Sequence, residues 1–545
     1  MRPSLLKSED IETYLNAGHW SRETMLHRYA TFAAKFPNTV ACRDQTESYT
    51  WAELESVTDC LAANLIELGL DRDERALVQI PSSCREVVLR IGLKKAGIIG
   101  AFAPLQWRRK ELEYVLERIT PRLIVMSQNL ANSSEFAWLD SATENVLCPA
   151  HRIGVGSTPL ENWLTWNDML KRPSNGDSFN NFAHRPFKFN EISLITVSSG
   201  TSSLAKLCEW PEGAQMCLSR VLGERLGITK DDNVGIFAPM SGAAGLVVWM
   251  VSGTIPCTFT FSGNYNAAEL LNLVQQFQIT VGTTVPVILA RLAQESLRSY
   301  DLSSLRILRV GTAAADIGSA KSFEVQTGCK VIVASGSMEC PGFGHASADE
   351  PKHARLNGSV GLPLRGCRLR IEDDQGNSLP AGTYGELKVS APFASSGYWD
   401  DTEMTAAVWS KGWYATGDIG FLDNEGRLTL NGRIKEIINR SGHKILPTEV
   451  EKEIRRHPDI FECAVVSAPD KEYGEVPWAF VQLRSGCTLD LGIFPEVLKE
   501  NGIASYKIPS RFIEIADFPR VSGNKIDKKV LLQMAPPIAR PSRTD

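Results

Sequence analysis

Ile195-Thr196-Val197-Ser198-Ser199-Gly200-Thr201-Ser202-Ser203-Leu204-Ala205-Lys206 is the stretch on which the reading of this chain turns. The apolar run at 192–197 predicts a buried strand. It breaks into small hydroxyl residues around one glycine and reaches a lysine six residues after that glycine. Such a loop can fold back so that backbone N–H groups and hydroxyls face phosphate oxygens, with the lysine adding positive charge. An ordinary serine-rich surface turn is the alternative reading, because the full G-x-x-x-x-G-K-[ST] pattern is absent. The flanking segments decide between the two.

On the N-terminal side, residues 20–70 read as helical, with Leu54, Val57, Leu61, Leu65 and Leu68 at helical spacing and Gly69 as a stop. Residues 75–81 read as a strand, 86–95 as a helix, 96–103 as a small apolar segment and 122–126 as another strand. Residues 150–190, richer in Asn, Pro and Ser, are expected to run over the surface. Beyond the loop the alternation resumes, with strands at 233–239, 281–286, 305–311 and 330–335 and helices at 267–277 and 287–297. Strand and helix in this rhythm predict an α/β fold with a parallel sheet covered on both faces. From Gly366 the pattern shifts to short strands and turns such as 373–377, which predicts a small antiparallel β-subdomain. Near Gly432-Arg433-Ile434-Lys435 the chain starts a second unit. There Thr448 is expected to cap a helix, with Glu451 completing a capping box, before strands at 463–467, 478–483 and 512–515. The expected division is a large domain over 1–432, a small α+β domain over 436–535 and a disordered tail over 536–545.

A chain of 545 residues exceeds what one core usually holds, so two or more domains are expected. The net charge of -5 argues against nucleic acid or an anionic membrane as a general partner. No stretch approaches a membrane span, and the N-terminus lacks the apolar core of a signal peptide. Twelve cysteines without CxxC pairs suit reduced thiols, and a cytoplasmic setting is expected.

Six segments, in order, give the chain its resemblance. They are Ser198 to Lys206; Gly336-Ser337-Met338-Glu339; Gly385-Glu386-Leu387 with Gly397-Tyr398-Trp399; Tyr414-Ala415-Thr416-Gly417-Asp418; Gly432-Arg433-Ile434-Lys435 with Gly442-His443-Lys444-Ile445; and Pro519 followed by Lys525-Ile526-Asp527-Lys528-Lys529. Over nearly its whole length the chain resembles the adenylate-forming enzymes, the superfamily of acyl- and aryl-CoA synthetases, peptide-synthetase adenylation domains and luciferases. It leans toward the stand-alone aryl-acid branch. The resemblance implies that ATP and a carboxylate give an acyl-adenylate and pyrophosphate, after which a thiol or an amine takes the acyl group. It implies ATP, Mg²⁺ and coenzyme A, or phosphopantetheine on an acyl carrier protein, as cofactors and partners, with a small-molecule carboxylic acid as substrate.

By the same resemblance Ser199, Gly200, Thr201, Ser202 and Lys206 hold the β- and γ-phosphates, and Glu339 holds Mg²⁺. Gly311, Thr312, Ala313, Ser335 and Gly336 line the nucleotide, Asp418 accepts from the ribose hydroxyls and Arg433 assists. Lys525 bridges the substrate carboxylate and the α-phosphate, Lys435 is the hinge at 433–435 of a mobile C-terminal domain, and Gly442 keeps the thiol tunnel open. These assignments fit a reaction that brings two anions together and needs positive charge and oriented donors.

Three features depart from the family pattern. Ser203, Ala205 and Leu207 alter the phosphate loop, Met338 replaces a hydroxyl residue, and Asn524 replaces the glycine before Lys525. The acid pocket is expected at Met240, Ser241, Gly242 and Gly245, where nothing binds a phenol strongly or pairs a substrate ammonium. A site without such groups favours a hydrophobic, non-amino aryl or acyl acid. The rivals are an amide synthetase and a degenerate nucleotide- or acyl-binding protein without turnover.

Overall fold

The structure, a computed structural model, describes the chain except for residues 1–5, 134–137, 142–149, 157–159, 173–183, 200–204, 312–316, 522–524 and 535–545. It divides into two compact units, one of residues 1–369 and 389–414 and one of residues 370–388 and 415–545.

The larger unit is built on two eight-stranded sheets. One carries the parallel strands Lys330–Ser335, Ile307–Val310, Val281–Thr284, Asn233–Ile236, Thr258–Phe261 and Val40–Arg43 side by side. The other has a parallel core of Ile192–Ser199, Ile99–Phe102, Arg75–Gln79, Leu123–Ser127 and His151–Val155. These strands are short and almost wholly buried, as parallel strands covered on both faces must be. Helices cover them. The Trp51–Glu67 helix starts at a true capping box, in which Glu53 N donates to Thr50 Oγ1 and the Glu53 carboxylate accepts from Thr50 N. It packs on the Cys84–Ala96 helix, which is buried along nearly its whole length and ends at Gly97 with φ 74°.

Two expectations are corrected in this unit. Residues 20–70 are not continuously helical: strands Val40–Arg43 and Ser48–Thr50 separate the Met25–Lys35 and Trp51–Glu67 helices. The Asp44 carboxylate makes that hairpin by accepting from Thr46 N and Glu47 N, a turn chemistry the helical spacing on either side masks. Within 150–190, strands His151–Val155 and Leu164–Thr165 extend the second sheet instead of wandering over the surface. Ile153, Gly154 and Val155 are buried there, and five residues are too few for alternation to show.

The smaller unit is antiparallel at its start. Trp413–Leu422 pairs with Leu428–Arg433. Its core lies between the Ile460–Asp470 and Gly474–Leu483 hairpin and the helices Pro447–Ile454 and Phe494–Glu500, closed by Ile438, Val450, Val465, Val481 and Phe494. The capping box expected at Thr448 does not form. Pro447, lacking an N–H, takes the first helical position and moves the cap to Leu446. The Thr448 hydroxyl donates instead to Asn431 O at 2.7 Å, and the buried Glu451 carboxylate accepts from Val465 N at 2.8 Å and pairs with Lys528. Lys435 lies in the 3₁₀ turn Ile434–Glu436, inside this unit. The expected tail at 536–545 lies outside the described residues.

Among the described residues no helix is long and apolar enough to cross a membrane, and the cysteines are free.

Candidate active site

In the larger unit Ser199, Gly311, Ser335 and Gly336 lie at the carboxyl ends of strands, where open α/β sheets hold their ligands. Ile192–Ser199 turns back as an antiparallel hairpin into Ala205–Pro211, with Ser199 opposite Ala205 and Ser198 opposite Lys206. The strands on either side of residues 200–204 therefore pair as a hairpin, and the second of them stands where a P-loop has a helix. Gly200, Thr201 and Ser202 lie outside the described residues, as does the Ser199 side chain.

Lys206 is held in a cluster. Strand Gly397–Tyr398 adds to the hairpin with Tyr398 opposite Cys208, two residues from Lys206 and so on the same face. Lys206 Nζ donates to the Tyr398 hydroxyl at 3.0 Å, and that hydroxyl donates to Glu339 Oε1 at 2.8 Å. Lys206 Nζ itself is 3.5 Å from Glu339 Oε1. Tyr398 is fixed by the edge of Trp409, 5.2 Å between ring centroids, and by its backbone N–H to Thr405 Oγ1. Glu339 is fixed by a turn in which Ser337 and Cys340 bond each other and by its carbonyl accepting from Ser395 N. Burial pushes the Glu339 carboxyl up, but the Lys206 charge and the Tyr398 hydroxyl outweigh it and hold the carboxyl below its ordinary value. Burial and the Glu339 charge push the Tyr398 hydroxyl far up, so it remains a donor. The result is an ionised buried carboxylate beside one lysine, a hard oxygen donor of the kind Mg²⁺ takes together with phosphate oxygens. Tyr398 stands in the sequence only as part of a Gly-Tyr-Trp motif, and nothing in its spacing shows that it joins the other two.

The nucleotide-lining residues are partly described. Gly311 follows the Ile307–Val310 strand, is buried, and donates to Thr284 O at 3.1 Å. Thr312 and Ala313 lie outside the described residues. Ser335 ends the Lys330–Ser335 strand, and Gly336 follows at a place where a Cβ would lie 2.5 Å from Gly342 N and 2.7 Å from Pro341 Cα. Beneath Gly311, Arg309 is buried with no carboxylate against it among the described residues, and donates to His345 Nε2 and Thr283 Oγ1. Burial pushes Arg309 down to about 10, and burial with the Arg309 charge keeps His345 neutral.

Of the expected acid-pocket residues, Met240 and Ser241 line a narrow crevice with Thr196, Met338, Phe102 and Arg90. Gly242 precedes the Ala243–Trp249 helix, and Gly245 lies inside it, where a Cβ would meet Ala238 O at 2.4 Å. Gly245 is therefore a packing glycine.

In the smaller unit Asp418 and Arg433 face each other across two strands, and Arg433 Nε donates to Asp418 Oδ1 at 2.7 Å. Lys525 lies in the strand Lys525–Ile526, opposite Val521; its side chain is outside the described residues. Ser441 and Gly442 both have positive φ, 49° and 89°, and form the two-residue turn between Ile438–Arg440 and His443–Ile445. A Cβ on Gly442 would meet nothing within 4 Å, so within this unit the backbone conformation is what asks for glycine.

Comparison with known proteins gives the following. A family described as AMP-binding enzyme matches residues 29–399, and its C-terminal domain matches residues 449–525. Triostin synthetase I of Streptomyces triostinicus is 29% identical over 500 residues, 90% of each chain. The 2,3-dihydroxybenzoate-AMP ligase of Bacillus subtilis (strain 168) is 26% identical over 538 residues, 96% of each chain. The crystal structure of an anthranilate CoA ligase, AuaEII, in complex with anthranoyl-AMP superposes with a TM-score of 0.84 at 22% identity, covering 94% of this chain and 97% of that one.

Proposed function

The chain belongs to the AMP-binding enzyme family, and on that premise we propose that it is an ATP-dependent, AMP-forming carboxylic-acid ligase that passes a largely hydrophobic acyl group to a thiol. The observation that carries this reading is the Lys206–Tyr398–Glu339 cluster at the mouth of the hairpin loop. A cation and an ionised carboxylate side by side suit a polyphosphate and its metal, which supports the reading. Relatives named for an aryl-acid AMP ligase and a CoA ligase support an acid as substrate.

In the first step an oxygen of the carboxylate bonds to the α-phosphorus and the bond to the bridging β-oxygen breaks, so pyrophosphate leaves. Lys206 and the loop 199–202 hold its β- and γ-phosphates, with Tyr398 fixing the lysine. Glu339 would hold Mg²⁺, which would supply charge neutralisation on the phosphate oxygens. Asp418, braced by Arg433, accepts from the ribose, and Gly311, Thr312, Ala313, Ser335 and Gly336 border the base. Lys525 donates to the carboxylate and the α-phosphate. In the second step a thiol sulfur bonds to the acyl carbon, the thiol proton leaves and AMP departs. The thiol is coenzyme A or a carrier-protein phosphopantetheine, and the free cysteines suit a cytoplasmic setting.

Product analysis tests the reading. Incubation with ATP, Mg²⁺, a panel of aryl and medium-chain acids and coenzyme A is expected to yield AMP, pyrophosphate and an acyl thioester. ADP and orthophosphate in their place would contradict it, and acyl transfer only to added amines would move the assignment to an amide synthetase.

A further inference from the structure

The Cys84–Ala96 helix is buried, yet it carries Glu86, Arg90 and Lys94. Lys94 is fully engaged by Glu212, Gln215 and Ser193. Arg90 is not. Its Nε and Nη2 donate to Glu86 Oε1 at 3.0 and 2.6 Å, and Nη2 also donates to Met240 O at 3.0 Å. Nη1 has no hydrogen-bond partner among the described residues. The side chain is 2% exposed, and its guanidinium carbon sits 3.6 Å from the centre of the Phe102 ring. A charged nitrogen with no partner of its own in so buried a side chain is available to an acceptor that a ligand brings.

Arg90 is also a wall of the crevice formed with Phe102, Thr196, Met240, Ser241 and Met338. These walls stand too close together to hold a water molecule between them, so a ligand has to part them. Thr196 Oγ1, on the same crevice, is buried without a hydrogen bond of ordinary geometry, its neighbouring Cys208 thiol being a weak partner. Met338 adjoins Glu339, and Thr196 lies in the strand that runs into the phosphate loop. An acid whose carboxylate lies on the Glu339 side of the crevice therefore reaches toward Arg90 with its other end. The two methionines are the flexible part of the wall and yield to a ligand more readily than branched side chains.

We infer that Arg90 is a specificity-determining residue for the acid, its Nη1 donating to a neutral oxygen acceptor at the end of the substrate remote from the carboxylate. This rests on the acid-ligase reading above. The acceptor is neutral, a ketone, ether or ester oxygen, because Glu86 already matches the Arg90 charge. A second carboxylate would bury an extra anion facing Glu86. The acid is thus apolar along its body with one acceptor, which refines the purely hydrophobic substrate expected from Met240 to Gly245. A wholly apolar acid leaves Nη1 unpaired after desolvating it, and sites built around a buried donor discriminate on that ground.

The test is acid-dependent ATP–pyrophosphate exchange with isosteric pairs, such as 4-methoxybenzoate against 4-ethylbenzoate and oxo-substituted against plain medium-chain acids. Wild type is expected to favour the oxygen-bearing member by at least about tenfold in kcat/KM. Glu86→Leu/Arg90→Met, which replaces the buried pair by apolar side chains of similar size, is expected to bring that ratio to within about twofold of one. Arg90→Lys keeps the charge against Glu86 but loses the fork, and is expected to lower the ratio too; it serves if the double variant does not fold. Exchange with equal kcat/KM for both members of every pair overturns this inference and leaves the acid-ligase reading standing. Exchange with no acid overturns both.

Discussion

Glu339, Tyr398 and Lys206 act as a unit, because the tyrosine hydroxyl donates to the carboxylate and accepts from the lysine. Tyr398→Phe removes that bridge and keeps the ring against Trp409. A hydrogen bond to a charged group is worth about 1.5–3 kcal/mol, so adenylation is expected to fall by roughly ten- to a hundredfold. The pH dependence has a definite sign. Glu339 titrates below its ordinary 4.5, so its ionised contribution is present above that value and is lost only as pH falls through the lower, folded value. Tyr398→Phe takes away a donor that lowers it, so the acid limb of the rate profile is expected to move to higher pH. An unmoved limb would mean that Glu339 is not the group titrating. Lys206 and Glu339 were legible in the sequence through motif order. Tyr398 was legible only as part of a motif, because what joins it to them is a strand pairing some 190 residues apart. Arg90 was not legible at all, since Glu86, Arg90 and Lys94, spaced by four, read as the solvated face of a helix until burial is known.

The Pro447–Ile454 helix shows how a local signal yields to tertiary demand. Thr448 and Glu451 have the spacing of a capping box, but Pro447 shifts the helix start and both side chains are used elsewhere. Glu451 is buried between Val465 N and Lys528, so Glu451→Gln leaves the lysine's charge less well paired and is expected to cost about 3 kcal/mol. Thr448→Ala loses one neutral hydrogen bond, about 1 kcal/mol. Hydrogen-exchange protection of the Ile460–Asp470 strand reads the difference. Equal, small losses for the two substitutions would restore the capping box. Long periodic elements survived the passage from sequence to structure. The Ala267–Phe277 helix and the Lys330–Ser335 strand have the bounds their patterns gave, whereas the short Val40–Arg43 and His151–Val155 strands depend on pairings no local pattern carries.

At the scale of the molecule, parallel strands place residues far apart in sequence at their carboxyl ends: Ser199 ends a strand of one sheet, while Gly311 follows and Ser335 ends strands of the other. Those strand ends were foreseeable from the βα rhythm; the division of the chain was less so, because residues 370–388 group with the C-terminal unit through sheet pairing and not through sequence order. We propose that the second half-reaction requires movement about Lys435. A few residues absorbing a backbone change suffice for such closure, so Lys435→Pro is expected to slow thioester formation at least about tenfold more than adenylation. Equal effects on both half-reactions would remove Lys435 as a hinge.

In the function proposed above, the Lys206 cluster serves the activation of an acid by ATP. Acid-dependent exchange of labelled pyrophosphate into ATP measures that step alone, without an acceptor. Exchange is expected with at least one aryl or medium-chain acid and with no amino acid, and is expected to be lost in Lys525→Ala while ATP still binds. A folded wild-type protein that binds ATP and shows no exchange with any carboxylic acid would contradict it.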